Sequence, residues 1–125
     1  MNKTVRPVVW IVKEQLRRNS LGSDPMDYGP AMAYGEIRFI TKGDLPLYGG
    51  GVLYESWYRD VAKFCIEFDE SRDFIITTGQ PTAIFAIGHA LGCHSKIPRY
   101  LVWQREENRY RVFDTPPDLA SFAVF

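Results

Sequence analysis

The sequence has no excess of either charge, few cysteines and histidines, and no long hydrophobic run. Its 15 basic and 15 acidic side chains balance, so no global field would draw the chain to duplex nucleic acid or to an anionic membrane. No apolar run approaches the roughly 20 residues that a membrane span requires. We therefore expect neither duplex nucleic acid nor a membrane among its partners, and any anion must be held by a local cluster of charge.

The N-terminal segment and the cysteines bear on the cellular compartment. Met1–Pro7 is charged and lacks the apolar core and small-residue cleavage site of a secretory leader. Cys65 falls among apolar residues of a predicted helix, and Cys93 falls just past the end of another. Because reducing compartments keep thiols free, the pattern favours a cytoplasmic protein with unpaired cysteines.

What the sequence does contain is enough apolar material for a packed core. Hydrophobic residues make up 46% of its 125 residues and aromatic residues 14%, a composition unlike that of disordered chains. This length is normal for one domain and short for two. We expect a single α+β domain over residues 1–125.

Hydrophobic periodicity divides the chain into strands and helices. Short apolar or alternating runs predict strands at 7–12, 35–41, 74–78, 100–103 and 110–113, and longer periodic runs predict helices at 52–68 and 81–91. The segment 13–19 is interpreted as a short helical turn or a strand end, and 20–30 as a loop. The predicted fold class is α+β, with a single, mostly antiparallel sheet of about five strands and two packed helices.

The two helices differ in their expected burial. The first carries one apolar stripe whose members recur at spacings of four and three: Leu53, Trp57, Val61, Phe64 and Phe68. The second opens with Pro81, which suits a first helical position because no partner is needed for its nitrogen. The second helix is apolar almost all round, so we expect it to be buried on more than one side.

The turn between the strand at 74–78 and the following helix is the first candidate binding site. Unpaired backbone N–H groups and the helix dipole favour an anion there, and threonine hydroxyls add donors. The candidate ligand-binding residues of this turn are Thr78, Gly79, Gln80 and Thr82. The turn lacks the Lys-Ser/Thr of a Walker loop and the dinucleotide fingerprint. An ordinary capped strand-to-helix turn is the alternative interpretation.

The predicted C-terminal hairpin is the second candidate. Arginines flank its turn, and strand alternation places two of them on one face. Guanidinium groups suit phosphate geometry, and neighbouring aromatic rings suit stacking on a base. The candidate ligand-binding residues of the hairpin are Trp103, Arg105, Asn108, Arg109 and Arg111. In the alternative interpretation, Glu106 and Glu107 pair with the arginines at a solvated hairpin tip.

Catalytic and metal-binding constellations are weak in this sequence. His89 and Cys93 lie four residues apart with His94 beside the cysteine, but Gly92 would move the later two off the helical face. We interpret His89 as a core histidine and expect no metal and no cofactor. Cysteine and serine residues lack a recognisable nucleophile turn, and paired carboxylates lie in polar loops. We therefore expect no catalytic residues and no enzyme activity.

Two stretches of the chain carry a family resemblance. They are Met26–Ala31 with Tyr34–Ile37, and Asp73–Pro81 followed by an apolar helix and by Leu101–Arg105 with Tyr110. In these stretches, in size and in its C-terminal arginines spaced by four, the chain resembles the phage Thoeris anti-defence (Tad) sponges. The resemblance implies sequestration of cyclic ADP-ribose isomers or cyclic oligonucleotides in the cytoplasm of an infected bacterial host. It also implies a homo-oligomer, dimeric or higher, and phosphate contacts by Arg105 and Arg109.

The favoured hypothesis is that the chain binds and sequesters a small phosphate-bearing nucleotide to block host immune signalling, without hydrolysis. Sequestration needs no general base, which agrees with the weak catalytic signals. One alternative is a protein-interaction module that inhibits a host protein through exposed tyrosines and the hairpin edge. The other alternative is a small nucleotide-processing enzyme.

Overall fold

The computed structural model of the chain describes residues 6–13, 16–19, 22–25, 28–47, 51–116, 118–119 and 122. Its strands are β1 (Val8–Ile11), β2 (Leu16–Asn19), β3 (Gly22–Pro25), β4 (Glu36–Phe39), β5 (Phe74–Ile76), β6 (Arg99–Gln104) and β7 (Arg109–Asp114). Its helices are α1 (Val52–Glu67) and α2 (Pro81–Cys93), and a 3-10 helix spans Gly29–Ala33. The two α-helices and the strands β1, β4, β5, β6 and β7 lie where the sequence predicts them.

Five of the strands form one sheet in the order β4-β1-β5-β6-β7. β1 runs parallel to both β4 and β5, β5 runs parallel to β6, and β6 pairs with β7 in antiparallel fashion. The sheet is therefore mostly parallel, and the prediction of a mostly antiparallel sheet is wrong. The reason lies in the connections, because α1 joins β4 to β5 and α2 joins β5 to β6. In each crossover the helix carries the chain back to the end of the sheet at which the previous strand began, so the joined strands run parallel.

α1 and α2 pack on one face of the sheet. Trp10 of β1 and Ile75 of β5 belong to the same apolar cluster as both helices, and the ring of Phe64 meets that of Trp10 edge-on at 5.1 Å between centroids. The predicted stripe of α1 is confirmed for the members whose side chains are described, which are all buried: Trp57, Val61, Phe64 and Phe68. This packing holds α1 against the sheet, and α1 is the helix that connects β4 to the parallel strand β5.

The opposite face of the sheet is covered by the 3-10 helix. Alternate residues of β1 and β5 form a second apolar cluster with Ala31 of that helix: Val9, Ile11, Phe74 and Ile76. Just after the helix, the Tyr34 hydroxyl donates a hydrogen bond to the Tyr110 carbonyl in β7 at 3.1 Å. β1 is therefore buried on both faces, as a central strand of a parallel sheet should be.

A second, two-stranded sheet follows β1. β2 and β3 pair in antiparallel fashion, with Leu16 opposite Pro25 and Asn19 opposite Gly22. The predicted loop at 20–30 thus contains a strand and the start of the 3-10 helix, and the helical-turn interpretation of 13–19 is wrong over β2. The error has a simple cause, since polar residues in these strands hide the alternation on which the prediction relied.

The outer surface of α2 is exposed, contrary to the expectation of burial on several sides. Ala83, Ile87 and Leu91 face the core, but Phe85 is 82% exposed. His89 is also exposed and lies 3.6 Å from the sulfur of Cys93, so its interpretation as a core histidine is wrong. The cause is geometric, because α2 packs on the sheet with a single face and no described element covers the other.

Lys96, just beyond α2, ties the ends of the two helices together. Its Nζ donates to the carbonyl oxygens of Cys65, Ile66 and Phe68 at 2.7, 3.0 and 2.7 Å. These carbonyls lie at the C-terminus of α1, where backbone acceptors lack helical partners. A positive charge there interacts favourably with the negative end of the helix dipole. Burial raises the pKa of the Cys65 thiol, and both cysteines are free, as predicted. Within the described residues, neither helix has the length and hydrophobicity to cross a bilayer.

Candidate ligand-binding cleft

The carboxyl ends of β1, β5 and β6 meet at one edge of the sheet because these strands are parallel. From β1 the chain returns to β4 through the 3-10 helix on one face, whereas from β5 it continues to β6 through α2 on the other face. Neighbouring strands whose connections leave in opposite directions define a topological switch point. Open α/β sheets bind ligands in the crevice at such a point.

The helix-facing side of this crevice is filled by the segment after β4. The Thr41 hydroxyl donates to the Val12 carbonyl at 3.1 Å. Leu45 is buried, and its N–H donates to Oε1 of Gln80 at 2.8 Å while Nε2 of Gln80 donates back to the Leu45 carbonyl at 3.3 Å. The side chain of Gln80 therefore straps this segment to the start of α2, and its amide is already satisfied by the backbone of Leu45.

The opposite side of the crevice is open and forms a cavity of about 640 Å³, which we call the edge cleft. Its lining combines the end of β5, the β6–β7 hairpin and the approach to the 3-10 helix: Tyr28, Pro30, Ile76, Thr77, Thr78, Leu101, Val102, Trp103, Asn108 and Tyr110. This volume lies in the range of small-molecule sites. The edge cleft is therefore large enough for a nucleoside or a nucleotide.

Thr78 lines the edge cleft and carries a buried hydroxyl. Its Oγ1 is buried and has no hydrogen-bond partner among the described residues. The turn that positions it has the Thr78 N–H bonded to the Ile76 carbonyl at 3.1 Å and is followed by Gly79 at φ 116°, a conformation that favours glycine. An unsatisfied buried hydroxyl costs free energy.

Aromatic side chains form one wall of the edge cleft. The rings of Trp103 and Tyr110 meet edge-on with centroids 5.0 Å apart, and Trp103 remains 41% exposed. Tyr28, another lining residue, lies edge-on to Phe39 with ring centroids 6.1 Å apart. Exposed indole faces accept the flat surface of a base or another ring.

Asn108 stands at the rim, in the turn between β6 and β7. Its φ of 54° is left-handed, a conformation that asparagine adopts more readily than most residues. The turn is short because the hairpin register pairs Gln104 directly with Arg109. This geometry brings the carboxamide of Asn108 to the lining of the edge cleft.

The hairpin arginines do not line the edge cleft. Nε of Arg109 lies 2.8 Å from Oε2 of Glu107, and Nη2 of Arg111 lies 2.7 Å from Oε1 of the same carboxylate. Hydrogen bonds from Arg109, and to a smaller extent from Arg111, lower the pKa of Glu107. By strand alternation, both arginines project from the face opposite Tyr110. Glu107 thus pairs with two of the arginines, as in the alternative interpretation, but among the described residues neither Glu106 nor Arg105 forms such a pair.

Of the nine residues that the sequence proposed for ligand binding, the fold brings together Thr78, Trp103 and Asn108. Outside the lining lie Gly79 in the turn, Gln80 in its strap, Thr82 exposed on α2, and the arginines. The exposed guanidinium of Arg105 has no hydrogen-bond or ion-pair partner among the described residues. Sequence reasoning did not select Tyr28 or Pro30, because nothing local shows that the 3-10 helix lies against the end of β5.

Metal and acid–base groups are not gathered at this edge in the part of the chain that the structure describes. No cluster of three or more histidine, cysteine, aspartate or glutamate side chains is close enough to hold a metal ion there. The polar groups that line the edge cleft are hydroxyls, an amide and an indole. Such groups bind and orient a ligand.

Thr78→Val is expected to raise the free energy of unfolding by about 1 kcal/mol, because valine matches the shape and removes a buried hydroxyl without a protein partner. Urea denaturation followed by circular dichroism measures the change. Thr82→Val, at an exposed position of α2, is the matched control and should stay within about 0.5 kcal/mol of the wild type. A destabilised Thr78→Val protein would mean that the hydroxyl has a structural partner after all.

Comparisons with known proteins bear on the origin of the chain. No curated protein and no solved structure shows a significant match to it. A family model described as phage Pam3 gp32-like protein matches residues 7–117, which span every strand and helix described above. The match covers well over half of the chain and indicates a phage protein. The chain belongs to the phage Pam3 gp32-like protein family.

Proposed function

We propose that this phage protein binds a small phosphate-bearing nucleotide in the edge cleft and sequesters it without hydrolysis. The ligand class is a cyclic ADP-ribose isomer or a cyclic oligonucleotide, and its removal would block host immune signalling. The observation that carries the proposal is a cavity of about 640 Å³ at the switch point of a parallel sheet, with an indole wall.

Several features of the edge cleft support binding rather than turnover. The lining offers an exposed ring at Trp103, and exposed polar residues at Thr77 and Asn108 that match the donors and acceptors of a base and ribose. Hydrolysis of a phosphate or glycosidic bond generally calls for a general base, a nucleophile or a metal ion. Sequestration requires none of these groups, so it makes the smallest chemical demand on this lining.

Membership of a phage family supports the biological side of the proposal. A phage protein that captures a signalling nucleotide acts by stoichiometry, and a small binding protein made in large amounts suits that task. A homo-oligomer would present several clefts in one particle. The proposal therefore predicts ligand that can be recovered chemically intact from the purified protein, and mass spectrometry of the heat-released fraction checks this directly.

Trp103→Ala is expected to weaken nucleotide binding about 5- to 150-fold, which corresponds to the 1–3 kcal/mol that base–aromatic stacking typically contributes. Isothermal titration calorimetry with cyclic ADP-ribose isomers and cyclic dinucleotides measures the effect. Ligand should also quench the fluorescence of Trp103 selectively, because Trp10 and Trp57 are 4% and 3% exposed and lie on the helix-facing side. The quench should be absent in Trp103→Phe.

Phe113→Ala is the matched control for this experiment. Phe113 is an aromatic residue of the same hairpin, 62% exposed, that lies outside the edge cleft. Its loss should leave the affinity unchanged. If no nucleotide binds the wild type at high micromolar concentration, the proposal is wrong. The protein-interaction alternative would then be favoured, with the exposed Tyr54 and Tyr58 and the hairpin edge as its contact surface.

A further inference from the structure

The edge cleft differs from ordinary phosphate sites in the charge of its lining. Among the described residues, all ten that line it have uncharged side chains. Phosphate sites instead rely on guanidinium or ammonium groups, or on several backbone N–H groups at a helix N-terminus. The first turn of α2 lies on the other face of the sheet, where Leu45 and the strap of Gln80 cover its start.

The nearest cationic groups of the hairpin are placed outside the cavity. Arg109 and Arg111 share the carboxylate of Glu107, so their positive charge is partly balanced. Arg105 is exposed in the turn, where solvent and salt screen its interaction with an anion. A phosphate at this rim would therefore gain little compared with a ring held in the interior.

We propose that the edge cleft anchors the neutral base of its ligand, that Asn108 reads the edge of that base, and that the phosphates stay at the solvated rim. This inference rests on the proposed function and specifies which part of the nucleotide is recognised. The base stacks on Trp103. The carboxamide of Asn108 supplies one donor and one acceptor side by side.

The geometry of Asn108 suits this role. The residue lines the edge cleft, and no described residue forms a hydrogen bond with its carboxamide. A carboxamide bonds in bidentate fashion to adjacent donor and acceptor atoms, as asparagine does with N6 and N7 of adenine. Its left-handed backbone, in the turn after β6, places the residue at the lining of the cleft.

Calorimetry with adenosine, adenosine 5′-monophosphate and ribose 5-phosphate tests the inference on the wild-type chain. We expect the nucleoside and the monophosphate to bind within about tenfold of each other, because the phosphate contacts are screened. Ribose 5-phosphate should not bind. Raising the salt from about 50 to about 500 mM should change the affinity for the monophosphate less than about threefold.

The outcomes separate this inference from the proposed function. Binding of cyclic ADP-ribose or a cyclic dinucleotide without binding of adenosine would overturn the inference and leave the proposed function standing. A steep loss of affinity with salt, or binding of ribose 5-phosphate, would do the same. If neither the nucleoside nor any nucleotide binds, both are overturned.

Asn108→Gly removes the carboxamide and keeps the backbone conformation, because glycine adopts a positive φ freely. We expect about 5- to 20-fold weaker adenosine binding, the usual effect of deleting a hydrogen-bonding side chain. Ser95→Gly is the matched control, since Ser95 has a φ of 56° and lies outside the edge cleft. Its affinity should equal that of the wild type. Unchanged affinity in Asn108→Gly, with thermal unfolding like that of Ser95→Gly, would show that Asn108 does not read the base.

Discussion

Asp73→Ala is expected to lower the free energy of unfolding by about 3–5 kcal/mol, which is the usual cost of removing one partner from a buried, hydrogen-bonded ion pair. Asp73 is 0% exposed and precedes β5. One of its carboxyl oxygens accepts from the Val8 N–H at 3.0 Å and from Nε of Arg72 at 2.9 Å. The other accepts from Nε1 of Trp10 at 3.2 Å and from the Asp69 N–H at 3.0 Å.

These four bonds explain why the loss should be large. They join the start of β1 to the turn between α1 and β5, and they satisfy two backbone donors and a buried indole that no alanine can reach. Asp73→Asn should also destabilise, because its NH₂ group would face donors on one side. Since domains are stable by only about 5–15 kcal/mol, Asp73→Ala removes a large share of the total.

Asp44→Ala provides the comparison. Asp44 pairs with Lys13 at 2.9 Å, but its side chain is 62% exposed, so its loss should cost less than about 1 kcal/mol. Urea denaturation monitored by circular dichroism and by tryptophan fluorescence measures both variants. Equal stability of the two variants would show that the buried carboxyl group does not hold β1 to β5.

The sequence predicted the main strands and helices well but failed on strand direction. The apolar runs of β1 and β5 and the stripe of α1 are local patterns, and burial fixes them strongly. Direction depends on the connections, and the order β4–α1–β5–α2–β6 already contains two strand–helix–strand units. Strands that alternate with helices favour a parallel sheet, and the hairpin at the C-terminus adds only one antiparallel pair to it.

The place of β1 in the strand order could not be predicted from the sequence. β1 lies between β4 and β5, although β4 and β5 are joined directly by α1. Nothing local to Val8–Ile11 distinguishes a central strand inserted in this way from an edge strand. The insertion follows from the second apolar cluster, in which residues of β1 meet the 3-10 helix on one face while Trp10 meets α1 on the other.

The candidate site shows the same division between local and distant information. Thr78 and Trp103 were selected for different reasons, in a turn and in a hairpin. They meet because Ile75 pairs with Tyr100 in parallel register, which brings the carboxyl ends of both strands together. The sequence alone could not decide whether the arginines of the hairpin tip are paired with acids. That depends on whether the side chain of Glu107 turns toward Arg109 and Arg111, as it does in the structure.

Gly35→Ala is expected to lower the free energy of unfolding by about 3 kcal/mol or more, at the upper end of the cost of overpacking a well-filled site. Gly35 is buried, and a Cβ there would overlap the carbonyl oxygen of Pro7 and lie 2.7 Å from its carbonyl carbon. Backbone atoms cannot rotate aside as a flexible side chain would. The same Pro7 oxygen accepts from the Glu36 N–H at 2.9 Å, the bond at which β4 begins to pair with β1.

Gly88→Ala is the control, because it should change the free energy of unfolding in the opposite direction. Gly88 lies in α2, and a Cβ there would meet nothing within 4 Å. Alanine in a helix with free space stabilises by about 0.5–1 kcal/mol relative to glycine, since it restricts the unfolded chain. Urea denaturation should therefore move the two midpoints in opposite directions. If Gly35→Ala were as stable as the wild type, β4 would not approach Pro7 this closely, and the parallel β1–β4 register would need revision.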